Sequence, residues 1–70
     1  MEVIVTKYER ETDYFGQLEY FYKVHKVPGG NVLMTFFVEK NEDEEIAERQ
    51  AISNIREYLK INNLTALNKF

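Results

Sequence analysis

Few side chains in this chain could do chemistry. His25 is its single histidine, Ser53 its single serine, and it has no cysteine. A nucleophilic hydroxyl needs a base within hydrogen-bond reach. His25 falls near the end of an expected strand, between Lys23 and Lys26, and Ser53 on the solvent side of an expected helix, so local spacing does not join them. Without thiolates there is neither a disulfide framework nor a sulfur-ligated metal site. The run Glu42, Asp43, Glu44, Glu45 could suggest a hard-cation site. Consecutive helical residues fan out by about 100° each, however, and the glycine turn of a calcium-binding loop is missing. The run therefore reads as solvated, helix-capping charge and as a candidate acidic contact surface. Pro28-Gly29-Gly30 is hairpin punctuation rather than a phosphate loop. The expectation is a non-catalytic protein with no metal and no cofactor.

The element that positions most of these groups is a helix read over about 42–60. Asn41 sits at an N-cap position, and Glu44 completes a capping-box spacing. The acids of the first turn face the positive end of the helix dipole, while Arg56 and Lys60 lie near its negative end. Ala47, Ala51, Ile52, Ile55, Tyr58 and Leu59 fall on one stripe, wide enough to bury against a sheet. Glu48 points into that stripe and is expected to stay wet where the first turns overhang the sheet. Ile46 lies on the opposite side with no core role.

Three strands precede the helix, over about 2–9, 17–27 and 31–39. Between the first two lies a charged break, extended by Tyr14, Phe15 and Gly16. In the second strand Leu18, Tyr20, Tyr22 and Val24 alternate with Glu19, Phe21, Lys23 and His25. Val32, Met34, Phe36 and Val38 alternate with Leu33, Thr35 and Phe37 in the third. Cross-strand partners share a face, so Tyr22 should oppose Phe36. A three-residue loop at Pro28-Gly29-Gly30 gives that parity, with Gly30 at positive φ. After the helix, Asn62-Asn63 suits a C-cap. Leu64, Leu67 and Phe70 recur every third residue, as in a short helical turn.

The expected fold is α+β: a three-stranded antiparallel meander packed on one C-terminal helix, β-β-β-α, with a short C-terminal helical turn over 61–70. Seventy residues make one domain, 1–70, close to the lower limit for folding alone. No run is apolar and long enough to span a membrane, and no signal peptide opens the chain, so a cytoplasmic protein is expected. The formal net charge is −3, unevenly placed. Glu39 to Glu48 holds six acids and one lysine, and Arg49 to Phe70 four basic residues against Glu57. This small, acidic chain has no basic stripe of the kind that grips phosphates, which argues against nucleic acid as partner.

The informative feature is the face of the sheet opposite the helix. Val3, Val5, Leu18, Tyr20, Tyr22, Val24, Val32, Met34, Phe36 and Val38 are assigned to the helix side. Ile4, Tyr8, Phe21, Leu33 and Phe37 remain on the other, with Thr6, Thr35 and Lys23 between them. One-sided antiparallel sheets turn a polar face to water, and an apolar patch of this extent marks an interface. Either the tail folds under and covers it through Leu64, Leu67 and Phe70, or it serves protein binding as a homodimer or toward another protein. From Val3 to Leu59 the expected topology is similar to the core of double-stranded-RNA-binding domains and of arm-site DNA-binding domains of tyrosine recombinases. That resemblance implies a nucleic-acid-binding module as the alternative function. The RNA-binding family's first helix is absent here, and Asn41-Glu42-Asp43-Glu44-Glu45 replaces its basic cluster at the helix start.

Overall fold

β1 (Glu2–Glu11), β2 (Leu18–Val27) and β3 (Val32–Phe37) form an antiparallel meander followed by α1 (Glu44–Ile61). This is a computed structural model, and it describes residues 1–11, 16–40 and 42–70. The α+β, β-β-β-α architecture is as the alternation of the strands and the stripe of the helix require. Asn41, Tyr14 and Phe15 lie outside the described residues.

The tail departs from expectation. Thr65–Ala66 is a short strand, β4, parallel to β1, with Glu2 opposite Thr65 and Val3 opposite Ala66. The sheet order is therefore β3-β2-β1-β4. The three-residue spacing of Leu64, Leu67 and Phe70 suggested a helical turn, but the free edge of β1 offers better partners. Thr65 N–H donates to the Met1 carbonyl and Leu67 N–H to that of Val3, both at 2.9 Å. Asn68 continues the ladder with its side chain. Its Oδ1 accepts from Val5 N–H at 2.9 Å, and its Nδ2 donates to the Val5 carbonyl at 2.6 Å.

Tyr22 lies opposite Phe36, as face parity requires. The device that sets the register is different. A shift at Val24/His25 pairs Val24 with Met34 but His25 with Val32, leaving Leu33 as the extra residue of a β-bulge. Lys26 N–H donates to the Asn31 carbonyl, and Gly30 N–H to that of Lys26, each at 2.8 Å, so four residues close the turn. A four-residue loop plus one bulged residue gives the same parity as a three-residue loop. Gly30 has φ +73° and Gly29 φ +113°, and the Val27–Pro28 peptide is cis.

The bulge also moves Val32. As the partner of His25, which pairs with Ile4 on its other side, Val32 shares the face opposite the helix rather than the helix side.

The core lies between α1 and the middle of the sheet. Val3, Val5, Tyr22, Val24, Ala51, Ile55 and Leu59 are buried together, with Phe36, Val38, Ile52, Tyr58, Leu64, Ala66 and Phe70 packed around them. The expected helix stripe is the buried one. Leu18 and Met34, expected under the helix, are exposed. Leu18 is the first residue of β2, before the core residues Tyr22 and Val24 of that strand, and on β3 it is Phe36 that packs against α1, its ring 5.5 Å from that of Tyr58.

Asp43, two residues beyond the expected cap, is the N-cap. Its carboxylate accepts from the N–H groups of Glu45 and Ile46. At the other end Asn63 takes φ +54°. Leu64 N–H donates to Leu59 and Asn63 N–H to Lys60, the Schellman pattern.

Candidate functional site

Strand register assembles the outer face of the sheet in rows. Ile4, His25 and Val32 form the first, Thr6, Lys23 and Thr35 the second, and Tyr8, Phe21 and Phe37 the third. Arg10 and Glu19 follow, ion-paired at 2.9 Å. The third row is a continuous aromatic ridge across three strands. Tyr8 and Phe21 stack with centroids 5.5 Å apart and planes at 15°, and Phe21 meets Phe37 at 5.7 Å. Cations stand on both sides of the ridge. Lys23 Nζ lies 5.3 Å from the Tyr8 ring and 5.6 Å from Phe21; the Arg10 guanidinium lies 5.5 Å from Phe21 and 5.8 Å from Phe37. The Tyr8 hydroxyl and His25 Nε2 are 3.2 Å apart.

Of the five residues assigned to this surface from sequence, Tyr8, Phe21 and Phe37 form the ridge, Ile4 lies two rows away on β1, and Leu33 is the bulged residue of β3. Phe37 is 50% exposed, and Ile4, Tyr8 and Leu33 are exposed as well. Val32 joins them through the bulge, and Met34, on the other face of the same strand, is 44% exposed. Apolar exposure therefore concentrates on β3, the last strand of the sheet on that side. The tail is elsewhere. Leu64, Ala66 and Phe70 pack against the helix-side core, and Leu67 is exposed.

The helix side holds a second cluster. Glu48 Oε1 accepts at 2.6 Å both from Lys7 Nζ and from the hydroxyl of buried Tyr22. The hydrogen bond from Lys7, then that from Tyr22, hold the Glu48 carboxyl below its ordinary value. Burial first, then the bond to Glu48 and its charge, push the Tyr22 phenol up. Glu48 is thus half-exposed, and its position in the stripe is explained by the tyrosine hydroxyl it satisfies. A lone acid in an apolar stripe, over a sheet face containing tyrosine, was the available sequence signal.

Beside this cluster an open cleft of about 1000 Å³ runs between the start of α1 and the ends of β2 and β3. Lys7, Lys40, Glu39, Glu44 and Glu48 line it in mixed charge. The acidic helix start is partly absorbed by the fold, since Asp43 caps the helix and Glu45 pairs with Arg49 at 2.6 Å. Glu42 and Glu44 are exposed. Among the described residues no group of three or more His, Asp or Glu could hold a metal ion, and no helix is long and apolar enough to cross a membrane.

Comparison of the chain with protein-family models, with curated proteins and with solved structures finds no match.

Proposed function

We propose that the chain is a non-catalytic interaction domain that self-associates through the uncovered β3 side of its sheet. The observation that carries this reading is the clustering of exposed apolar side chains at β3: Val32, Leu33, Met34 and Phe37, continuous with Phe21, Tyr8 and Ile4. Burying a few such side chains at about 1.5–3 kcal/mol each is enough drive for association, with Arg10 and Glu19 as a polar rim beyond the ridge.

Sedimentation equilibrium from micromolar to millimolar concentration tests this. The expected result is a concentration-dependent dimer that Phe37→Asp converts to a folded monomer. A parent that sediments as one chain throughout overturns it.

One observation favours a second reading. Arg10 and Lys23 standing over the aromatic ridge resemble the stacked bases' surround on single-stranded nucleic-acid platforms. Binding of a labelled oligonucleotide at low and moderate salt separates the two readings, because phosphate-driven affinity falls steeply with salt. On the self-association reading the oligonucleotide shows no salt-sensitive binding.

A further inference from the structure

We infer that two copies of this chain join by antiparallel pairing of their β3 strands, edge to edge, into one continuous sheet. The inference rests on the self-association reading and specifies its geometry.

The two edges of the sheet are treated differently. β4 and Asn68 close the edge of β1, whereas among the described residues no strand pairs with the outer side of β3. Val38 N–H donates to the Tyr20 carbonyl at 2.9 Å. Antiparallel pairs alternate between bonded and non-bonded, so Phe36 and Met34 likewise turn their N–H and C=O groups toward β2. Thr35 and Phe37 turn theirs to the open edge. From Val32 to Val38 the strand carries no charge and no proline, two of the devices that ordinarily protect an edge, and its bulge at Leu33 lies toward one end, leaving Met34 to Phe37 regular.

A two-fold axis at Thr35 makes the strand complementary to itself. Thr35 meets Thr35 of the second copy in a bonded pair, Phe37 meets Leu33, and Met34 meets Phe36. Every pair along the strand is then apolar or hydroxyl, and the nearest charge, Glu39, lies opposite Asn31. The aromatic ridges of the two copies run into one another across the junction.

Proline at position 35 removes only an outward N–H, which edge strands tolerate, so Thr35→Pro retains the bonds of β3 to β2. Each dimer loses two backbone hydrogen bonds, and the dissociation constant is expected to rise roughly a hundredfold. Circular dichroism checks the fold. Should Thr35→Pro unfold the chain, Thr35→Lys decides, since it sets two like charges on the axis of an otherwise intact strand. Tyr8→Asp, on a distant strand of the outer face, is expected to leave the dimer in place. In the parent, amide protection at Thr35 and Phe37 should rise with protein concentration. A dimer that survives Thr35→Lys, or dissociates with Tyr8→Asp, overturns edge pairing in favour of face-to-face stacking and leaves self-association standing. A parent that is monomeric throughout defeats self-association itself.

Discussion

The two edges of this small sheet face the same physical problem and meet it in opposite ways. An unpaired strand presents a row of N–H and C=O groups that any extended chain can use. On the β1 side the chain closes the row with its own tail. Two backbone bonds from Thr65 and Leu67 are followed by the paired amide bonds of Asn68 to Val5. The residues beneath that edge, Val3 and Val5, are almost fully buried. On the β3 side no described strand follows, α1 packs on Phe36 but leaves Val32, Leu33, Met34 and Phe37 exposed, and those residues are apolar. Closure and core go together: the tail that seals β1 also brings Leu64, Ala66 and Phe70 into the hydrophobic cluster. An open edge left apolar in so small a chain is the feature that functional reasoning has to explain.

The sharpest way to probe the closed side is through its core. Ile55 is fully buried among Val3, Val24 and Leu59, and Ile55→Ala is expected to cost about 2–5 kcal/mol. Chemical denaturation of the variant measures it. A variant as stable as the parent would mean that α1 packs through another face. The open side should contrast, with Met34→Ala costing the isolated monomer well under half as much, since that side chain already meets water.

Asn68 comes next in size. Asn68→Ala leaves the N–H and carbonyl of Val5 without their partner in a part-buried place, a loss of about 1–3 kcal/mol. Hydrogen exchange at Val5 should accelerate while exchange at Val24 keeps pace with global unfolding. If the Val5 amide stays protected, something other than Asn68 seals that edge, and the contrast between the two edges weakens.

Why some of this was legible in the sequence and some was not follows from the period of each feature. That Tyr8, Phe21 and Phe37 share a face, and Tyr22 and Phe36 the other, rests on a period of two, which survives any loop geometry of the right parity; that Tyr8 rather than Ile4 lies beside Phe21 is set by the register of β1 against β2. The bulge at Leu33 was invisible because it and the four-residue turn cancel in the parity sum. Its consequence, Val32 on the outer face, was hidden with it. β4 has only two residues and therefore no period of its own; the unsatisfied edge of β1 decides it, and that edge exists only after folding. The Asn63 C-cap could be read because it depends on one residue's tolerance of positive φ. Asp43 replaced Asn41 as N-cap by a shift of two residues, the usual uncertainty of helix ends.

A smaller effect separates the helix side of the sheet from its outer face by pH. Glu48 binds Lys7 and Tyr22, which hold its carboxyl below the ordinary value of 4.5. A carboxylate depressed by folding contributes stability that is present above the unfolded value and lost as pH falls through the folded one. The expected outcome is that the parent loses stability below about pH 4.5 more steeply than Glu48→Gln. Tyr22 works in the opposite sense, being raised by burial, so its contribution holds up to its ordinary value of 10.0 and fades only above it. Urea midpoints measured between pH 3 and pH 7 check the acid limb. Parallel profiles for parent and Glu48→Gln would show that the bonds to Lys7 and Tyr22 contribute nothing to folding.

The smallest expected effect is at Leu67, and it decides what the tail is for. Leu67 is 53% exposed, and it contributes to the β4–β1 ladder through its backbone N–H, beside Thr65 and Asn68. Leu67→Asp should therefore change monomer stability by no more than about 0.5 kcal/mol, the usual range for surface substitutions. The ladder bond to Val3 is retained, and the added carboxylate points into water. Association through β3 should also be unaffected, because β1 and β2 lie between the tail and β3. If the tail instead acted as a lid over the outer face, Leu67→Asp would destabilise the chain by several times that amount, about as much as Phe37→Asp. Paired melts of these two variants at a concentration where the parent is monomeric distinguish the cases. Equal and large losses would place the tail over the aromatic ridge. A silent Leu67→Asp leaves the ridge and the β3 edge as open surface.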